Sequence, residues 1–442
     1  MHLSALNMTD LFVNLWRGTI CGARRNDPAN QPWVVLTGET WKNFGAEVAR
    51  ARSFLPGSFD RPPRNIADKI NSNYKAQEWK TLFFGYGPAM LRNTLPRVYL
   101  KHYAKTVSAG RILGRGRVSA ALLHVAEKRA GEAELEHEQL YYNGDIDHLH
   151  HCRPCMHAFG HGPREIRFNG PLVGHTQYTM ERAIGSYTQE IRLPSNPFAN
   201  LSERALLRAQ LNALKSQFPS LDPDHAGRLP RGALDLGDSF VLLRARERYA
   251  QWVPPVEAAA FHRYLTEIAC APLQALEAYS LKVQKWARAR LPNGQVARSE
   301  WKEATQSLSK VRIARTVQLC LDGRMQLAEV RYYCRLPIDV RGENHRTVAL
   351  VSVFGTRDEN LYNDLYETVW LAPYCGDDTL RVVDIKSIRS VVAMVPDTAV
   401  TVNVDDPNEP HFKKGSQYFL VEKMGLDGSH RTAEVDDIIE DE

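Results

Sequence analysis

The chain has 442 residues, 43% of them apolar and 24% charged, and carries a net charge of +5. Those values exclude an intrinsically disordered polymer and allow two or three domains with a sizeable core. No stretch approaches the ~18 uninterrupted apolar residues of a membrane-spanning helix, so membrane insertion is not expected. Seven scattered cysteines, an odd number, argue against a disulfide-stapled secreted scaffold, and a reducing compartment, nucleus or cytoplasm, is expected.

The opening residues MHLSALNMTDLFVNLWRGT have no basic lead ahead of an apolar core, so a cleaved signal peptide is not expected. Leu3, Leu6, Leu11, Phe12 and Leu15 fall on one face of a helix that Gly18 ends. LPGSFDRPPRN (55–65) reads as a loop, because consecutive prolines lack the donors a helix needs. Two long helical patterns follow, KAQEWKTLFFGYGPAMLRNTLPRVYLKHYAKTV and SAALLHVAEKRAGEAELEHEQLYY, the second ending at Asn143-Gly144. Helices are predicted over 148–159 and 176–191. After the turn PSNPFAN comes another, LSERALLRAQLNALKSQF, with Ser202 as its N-cap. Beyond residue 311, β-branched and aromatic runs separated by turns predict five or six strands. The fold class is therefore α+β: a mainly helical N-terminal two-thirds followed by a small antiparallel β barrel or sandwich. From about 401 the chain turns polar and acidic and is expected to fray, with six acids and no base over 434–442.

Charge is unevenly spread. Residues 97–129 hold eight Lys/Arg against Glu127, and 281–315 hold nine against Glu300 and Glu303. Such density is what a phosphate-tracking surface needs, although a solvated helix face gives the same composition. Arg97, Lys101, Lys105, Arg111, Arg115 and Arg117 are the DNA-binding candidates, with GRILGRGR (110–117) read as a basic turn rather than a phosphate loop.

HLHHCRPCMHAFGH (148–161) pairs Cys152 and Cys155 with several histidines. On a helix His151 and Cys155 share a face, as do His157 and His161, the spacing zinc sites often use. A second Cys-x-x-Cys is missing and Pro154 separates the thiols, so zinc is not expected. Glu78, Glu181, Asp235 and Asp238 read, on composition alone, as surface or capping carboxylates.

Read together, MHLSALNMTDLFVNLWRGT, LPGSFDRPPRN, YKAQEWKTLFFGYGPAML, GPLVGHTQYTMERAIGSYTQEIRLPSNPFANLSERALLRAQLNAL, DLGDSFVLLRARER, RLPNGQVARSEWKE and VVDIKSIRSVVAMVP resemble, in order, the C-terminal half of fungal transposases of the CACTA (Enhancer/Suppressor-mutator) type. The resemblance implies an RNase-H-like fold in which three carboxylates hold magnesium ions for strand transfer. It implies Glu181 as the third acid and magnesium ligand, Glu78 as its alternative, and His2 as the histidine of an Asp-x-x-His pattern whose Asp would precede Met1. The implied organisation is a remnant of the RNase-H-like core over 1–30, a helical insertion over 31–165, a helical region carrying the third acid over 166–310, a β-rich domain over 311–400 and a tail over 401–442. The expected function is that of a truncated, DNA-binding, catalytically incomplete transposase derivative, with DNA, a full-length transposase subunit or a second copy as partners. A domesticated non-catalytic scaffold is the alternative. A self-contained metal-dependent nuclease using Glu181, Glu78 and Asp235 is the third reading.

Overall fold

Met8, Leu11, Phe12, Leu15 and Trp16 recur at the three-to-four spacing that places side chains on one helix face, and all five are buried. In a computed structural model they form helix α1 (Met8–Arg17), entered through a π-helical turn (His2–Asn7). Gly18, left-handed at φ 64°, closes the helix by donating its N–H to Asn14 and Leu15 carbonyls. The structure describes residues 2–20, 31–193, 195–221, 229–268, 281–307, 310–337, 345–397 and 411–425.

Helices α2 (Gly38–Arg50), α3 (Arg97–Leu113) and α4 (Ala120–His137) pack around α1. Ser119 caps α4 by accepting from the Leu122 N–H at 3.3 Å. α5 (Pro154–Gly160) and α6 (Gly162–Asn169) lie against α4. The helix predicted over 148–159 is divided at Cys152-Arg153 into a 3-10 turn (Ile146–His151) and α5, because Pro154 can start a helix but not continue one. α7 (Tyr178–Glu190) and α8 (Pro197–Gln217) pair through Arg208, which reaches Ser186 Oγ at 2.9 Å and Glu190 at 3.3 Å. α8 begins at Pro197, so Ser202 lies inside the helix rather than at its cap.

The β structure begins well before residue 311. Strands β1 (Leu234–Asp235), β2 (Val241–Leu242), β3 (Gln251–Trp252), β4 (Lys282–Val283), β5 (Arg288–Arg290) and β6 (Val296–Arg298) lie within 166–310, the stretch expected to be helical. Helix α9 (Pro255–Ile268) stands between β3 and β4 in the chain. Strands of two or three residues are too short to show a period-two pattern, which is why they escape a reading by periodicity. Then come β7 (Thr316–Leu321), β8 (Arg324–Pro337), β9 (His345–Val353), β10 (Leu371–Pro373), β11 (Leu380–Asp384), β12 (Ile388–Val391), β13 (Ala393–Pro396) and β14 (Gln417–Val421).

Among the described residues the pairings are antiparallel and the sheets are open: β1-β2-β5-β6, β11-β9-β8-β7-β12, β10-β14-β13 and β3-β4. The architecture is thus a mixed α+β one with several small antiparallel sheets, and of the expected barrel or sandwich a closed barrel is not seen among the described residues. The central strand β8 serves two cores. Ala328, Val330 and Tyr333 face the four-stranded sheet, whereas Tyr332, Cys334 and Leu336 face α9. The parity change falls where the β8–β9 register shifts between Val330 and Tyr332, so one bulged residue, Arg331, swaps every later side chain to the other face.

β14 sits inside the segment expected to fray and is buried on both faces. Phe419 and Val421, with Ala393 and Val395 of β13, enter the helical core. Tyr418 and Leu420, with Met394, enter a separate aromatic cluster around Phe354 and Phe412. The acidic residues 434–442 lie outside the described residues.

Candidate nucleic-acid interface

Residues 241–253 run antiparallel to 281–290 as one irregular ladder: Val241 pairs with Arg290, Leu242 with Ala289, Arg246 with Trp286 and Trp252 with Lys282. Leu242, Val253, Val283, Trp286 and Ala289 are buried. Trp286 fastens the ladder to the large sheet by exchanging backbone hydrogen bonds with Tyr333 of β8 at 2.8 and 3.1 Å. The alternate positions Arg244, Arg246 and Arg248, together with Lys282 and Arg288, are exposed. β6 extends this face with Arg298, which pairs directly with Arg288. Arg298 lies 3.7 Å from the buried Glu303 carboxylate. Among the described residues, Arg244, Arg246, Arg248, Lys282 and Arg288 have no carboxylate partner.

Glu247 interrupts the basic run in sequence but not in space. It is half-buried, and its carboxylate accepts the Lys285 backbone N–H at 3.3 Å. The cations are ordered by rings instead. Arg246 lies 4.9 Å over Trp286, Lys285 4.4 Å over Tyr332, Lys282 4.3 Å over Trp252 and Arg248 5.2 Å over Tyr249. The sequence reading picked out the 281–315 half of this surface and missed the 244–252 half. Its signal was arginine at every second position, which on a strand means one face.

Most of the cations over 97–129 are engaged by partners within the protein. Arg97 and Lys101 pair with Asp364 at 2.9 and 2.6 Å, and Lys105 with Glu136 and Glu132 at 2.5 and 3.0 Å. Burial would lower the Lys105 pKa, but the two carboxylates outweigh it and raise it to about 12. Arg111 donates to the Phe84 and Thr368 carbonyls, both at 2.8 Å. Of the six DNA-binding candidates, Arg97 and Arg117 are exposed. Arg111 and Arg115 line a cleft of about 710 Å³, together with Arg129, Arg324 and Arg357 and the carboxylates of Glu359 and Glu367.

The candidate acids sit on separate elements. Glu78 is buried in the short helix Ala76–Thr81. It accepts from Arg64 at 2.6 and 2.9 Å and from the Lys75 backbone N–H at 2.9 Å. Burial would raise its pKa, but these donors win and hold it below the ordinary range. Glu181 is exposed in the first turn of α7. Asp235 on β1 accepts the Gly237 N–H at 3.0 Å, and Asp238 pairs with Lys386 at 2.7 Å. His2 lies in the opening π-helical turn, and its side chain is outside the described residues. Among the described residues no three His, Cys, Asp or Glu side chains converge on one point. Glu78, Glu181 and Asp235 therefore do not form a metal site among themselves.

The His/Cys segment divides in two. His148 stacks on His151 at 4.9 Å, and His151 donates from Nδ1 to the Tyr141 carbonyl at 3.0 Å beside Trp33. His157 turns outward to Glu134 at 2.7 Å and to His161 at 3.0 Å. Cys155 is buried and Cys152 half-buried, and burial pushes both thiols up.

No protein-family model, curated protein or solved structure matches the chain.

Proposed function

We propose that this chain binds nucleic acid along the outer face of the 241–253/281–298 ladder, as the DNA-holding portion of a transposase-type protein. The carrying observation is the row Arg244, Arg246, Arg248, Lys282 and Arg288, exposed together with no carboxylate partner among the described residues. Five phosphates neutralised there release their counterions, which gives a log-log salt slope of about −4 to −5. Fluorescence anisotropy with a labelled duplex across a potassium chloride series measures that slope. The triple variant Arg244→Glu, Arg246→Glu, Arg288→Glu is expected to weaken binding by about a hundredfold at low salt with an unchanged circular dichroism spectrum. Undetectable binding by the unaltered chain at low salt overturns the reading.

A second reading, an assembly scaffold, draws on α8. Leu207, Leu211, Leu214 and Phe218 follow a four-three-four spacing and are 44–53% exposed, a seam that another helix would cover. A second copy of this chain is the partner that reading requires. Light scattering that shows a monomer at high concentration removes it.

A further inference from the structure

The four cation-bearing rings of the ladder region divide into two kinds. Trp286 and Tyr332 are 3% and 1% exposed, and their cations cover the edge of a packed core. Trp252 and Tyr249 are 57% and 63% exposed, three residues apart in the chain, and carry Lys282 and Arg248. Core packing accounts for the first two rings and leaves the second two without a structural task.

We propose that Trp252 and Tyr249 stack the bases of an unpaired nucleic-acid strand whose phosphates lie on Lys282, Arg248 and the arginines beyond. The proposal rests on the binding reading above and adds the substrate class. In a duplex the bases cover one another's faces, so an exposed indole or phenol gains nothing from them. In a single strand each base has a free face, and stacking on an aromatic side chain is independent of base identity. The register supports the arrangement, because Trp252 stands directly across from Lys282, which places a phosphate-attracting cation beside an exposed ring. From Lys282 to Arg288 the partner strand of the ladder spans about 20 Å at the ordinary strand rise, room for several extended nucleotides. Charge decides against an apolar protein partner as the occupant: Arg244, Arg246, Arg248 and Lys282 would all be brought under it, whereas a polyanion is attracted by each.

The test uses the whole chain with a dye-labelled thymidine oligonucleotide of about 20 nucleotides and a duplex of the same length at matched salt. The single strand is expected to bind about tenfold more tightly and to quench tryptophan fluorescence. Trp252→Ala and Tyr249→Ala are each expected to weaken single-strand binding about tenfold and duplex binding by no more than about twofold, with Trp252→Phe restoring most of the single-strand loss. Equal affinities for the two nucleic acids, or equal losses for both in Trp252→Ala, overturn the stacking proposal while leaving the basic face intact. Failure of either nucleic acid to bind overturns the binding reading itself.

Discussion

Arg288 on β5 stands directly across the ladder from Arg298 on β6, with both side chains in solvent. Like charges at opposed positions weaken an antiparallel pair, and the Glu303 carboxylate 3.7 Å from Arg298 offsets only part of that. The fold retains the repulsion, and a bound polyanion would relieve it. Arg288→Glu is expected to raise stability by about 0.5 kcal/mol while lowering nucleic-acid affinity about tenfold. Urea unfolding and anisotropy on the same preparation check both, and a variant that loses stability along with affinity contradicts the account.

Acid should loosen the helical core. His102 and His137 are buried, and each donates Nε2–H to a carbonyl, of Ala133 and His151 respectively. Burial lowers the two pKa values to about 3 and about 4, from an ordinary 6.5. The folded rings stay neutral while the unfolded ones take up protons, so their stabilisation is complete above pH 6.5 and falls as the solution is acidified toward those values. Each ring is expected to cost about 2 kcal/mol between pH 7 and 5. Urea midpoints over that range measure the loss, which His137→Gln should reduce.

Glu78 answers to pH with the same sign but lower down. Its carboxylate is depressed in the folded chain, so the stability it contributes is present above the ordinary carboxylate pKa and is lost as pH falls through the lowered one. Glu78→Gln leaves Arg64 without its charge partner and is expected to cost about 2 kcal/mol at pH 7, and much less at pH 3. Thermal unfolding at the two pH values distinguishes this structural carboxylate from a spare metal ligand, whose neutralisation would leave stability unchanged or improved.

Gly45, in the middle of α2, is a position where helix propensity and packing oppose each other. Alanine there should favour the helix by about 1 kcal/mol. Its Cβ would lie 2.2 Å from Asn65 Oδ1 and 2.8 Å from the Ala67 backbone nitrogen. That oxygen caps the next short helix by accepting from Ala67 at 2.9 Å. Losing the cap and displacing the backbone outweigh the propensity gain, and Gly45→Ala is expected to destabilise the chain by about 2 kcal/mol net in a denaturant titration.

Long periodic elements were legible from the residues alone, and short or distant relationships were not. α3 and α4 announce themselves through apolar residues every third or fourth position, and Gly18 and Asn143 mark helix ends through their left-handed backbones. The strands of two and three residues between 234 and 298 offer no period to read. β14, only QYFLV, is lost in a polar surrounding, although four apolar or aromatic residues suffice when both faces are buried. The candidate site shows the same division. Arginine at 244, 246 and 248 could have been read as one face of a strand, whereas the commitment of Lys105 to Glu132 and Glu136, or of Arg92 to Asp397, depends on which helices and loops meet. Composition counts charges without saying which ones reach water.

The insertion of Phe419 and Val421 into the helical core has a consequence for synthesis. The helices at the front of the chain cannot close this part of their interior until residues 419–421 have emerged from the ribosome, so throughout translation the nascent polypeptide carries an open apolar seam. Such a chain is expected to be prone to association while it is made, and a fragment that ends before β14 is expected to expose the same apolar surface.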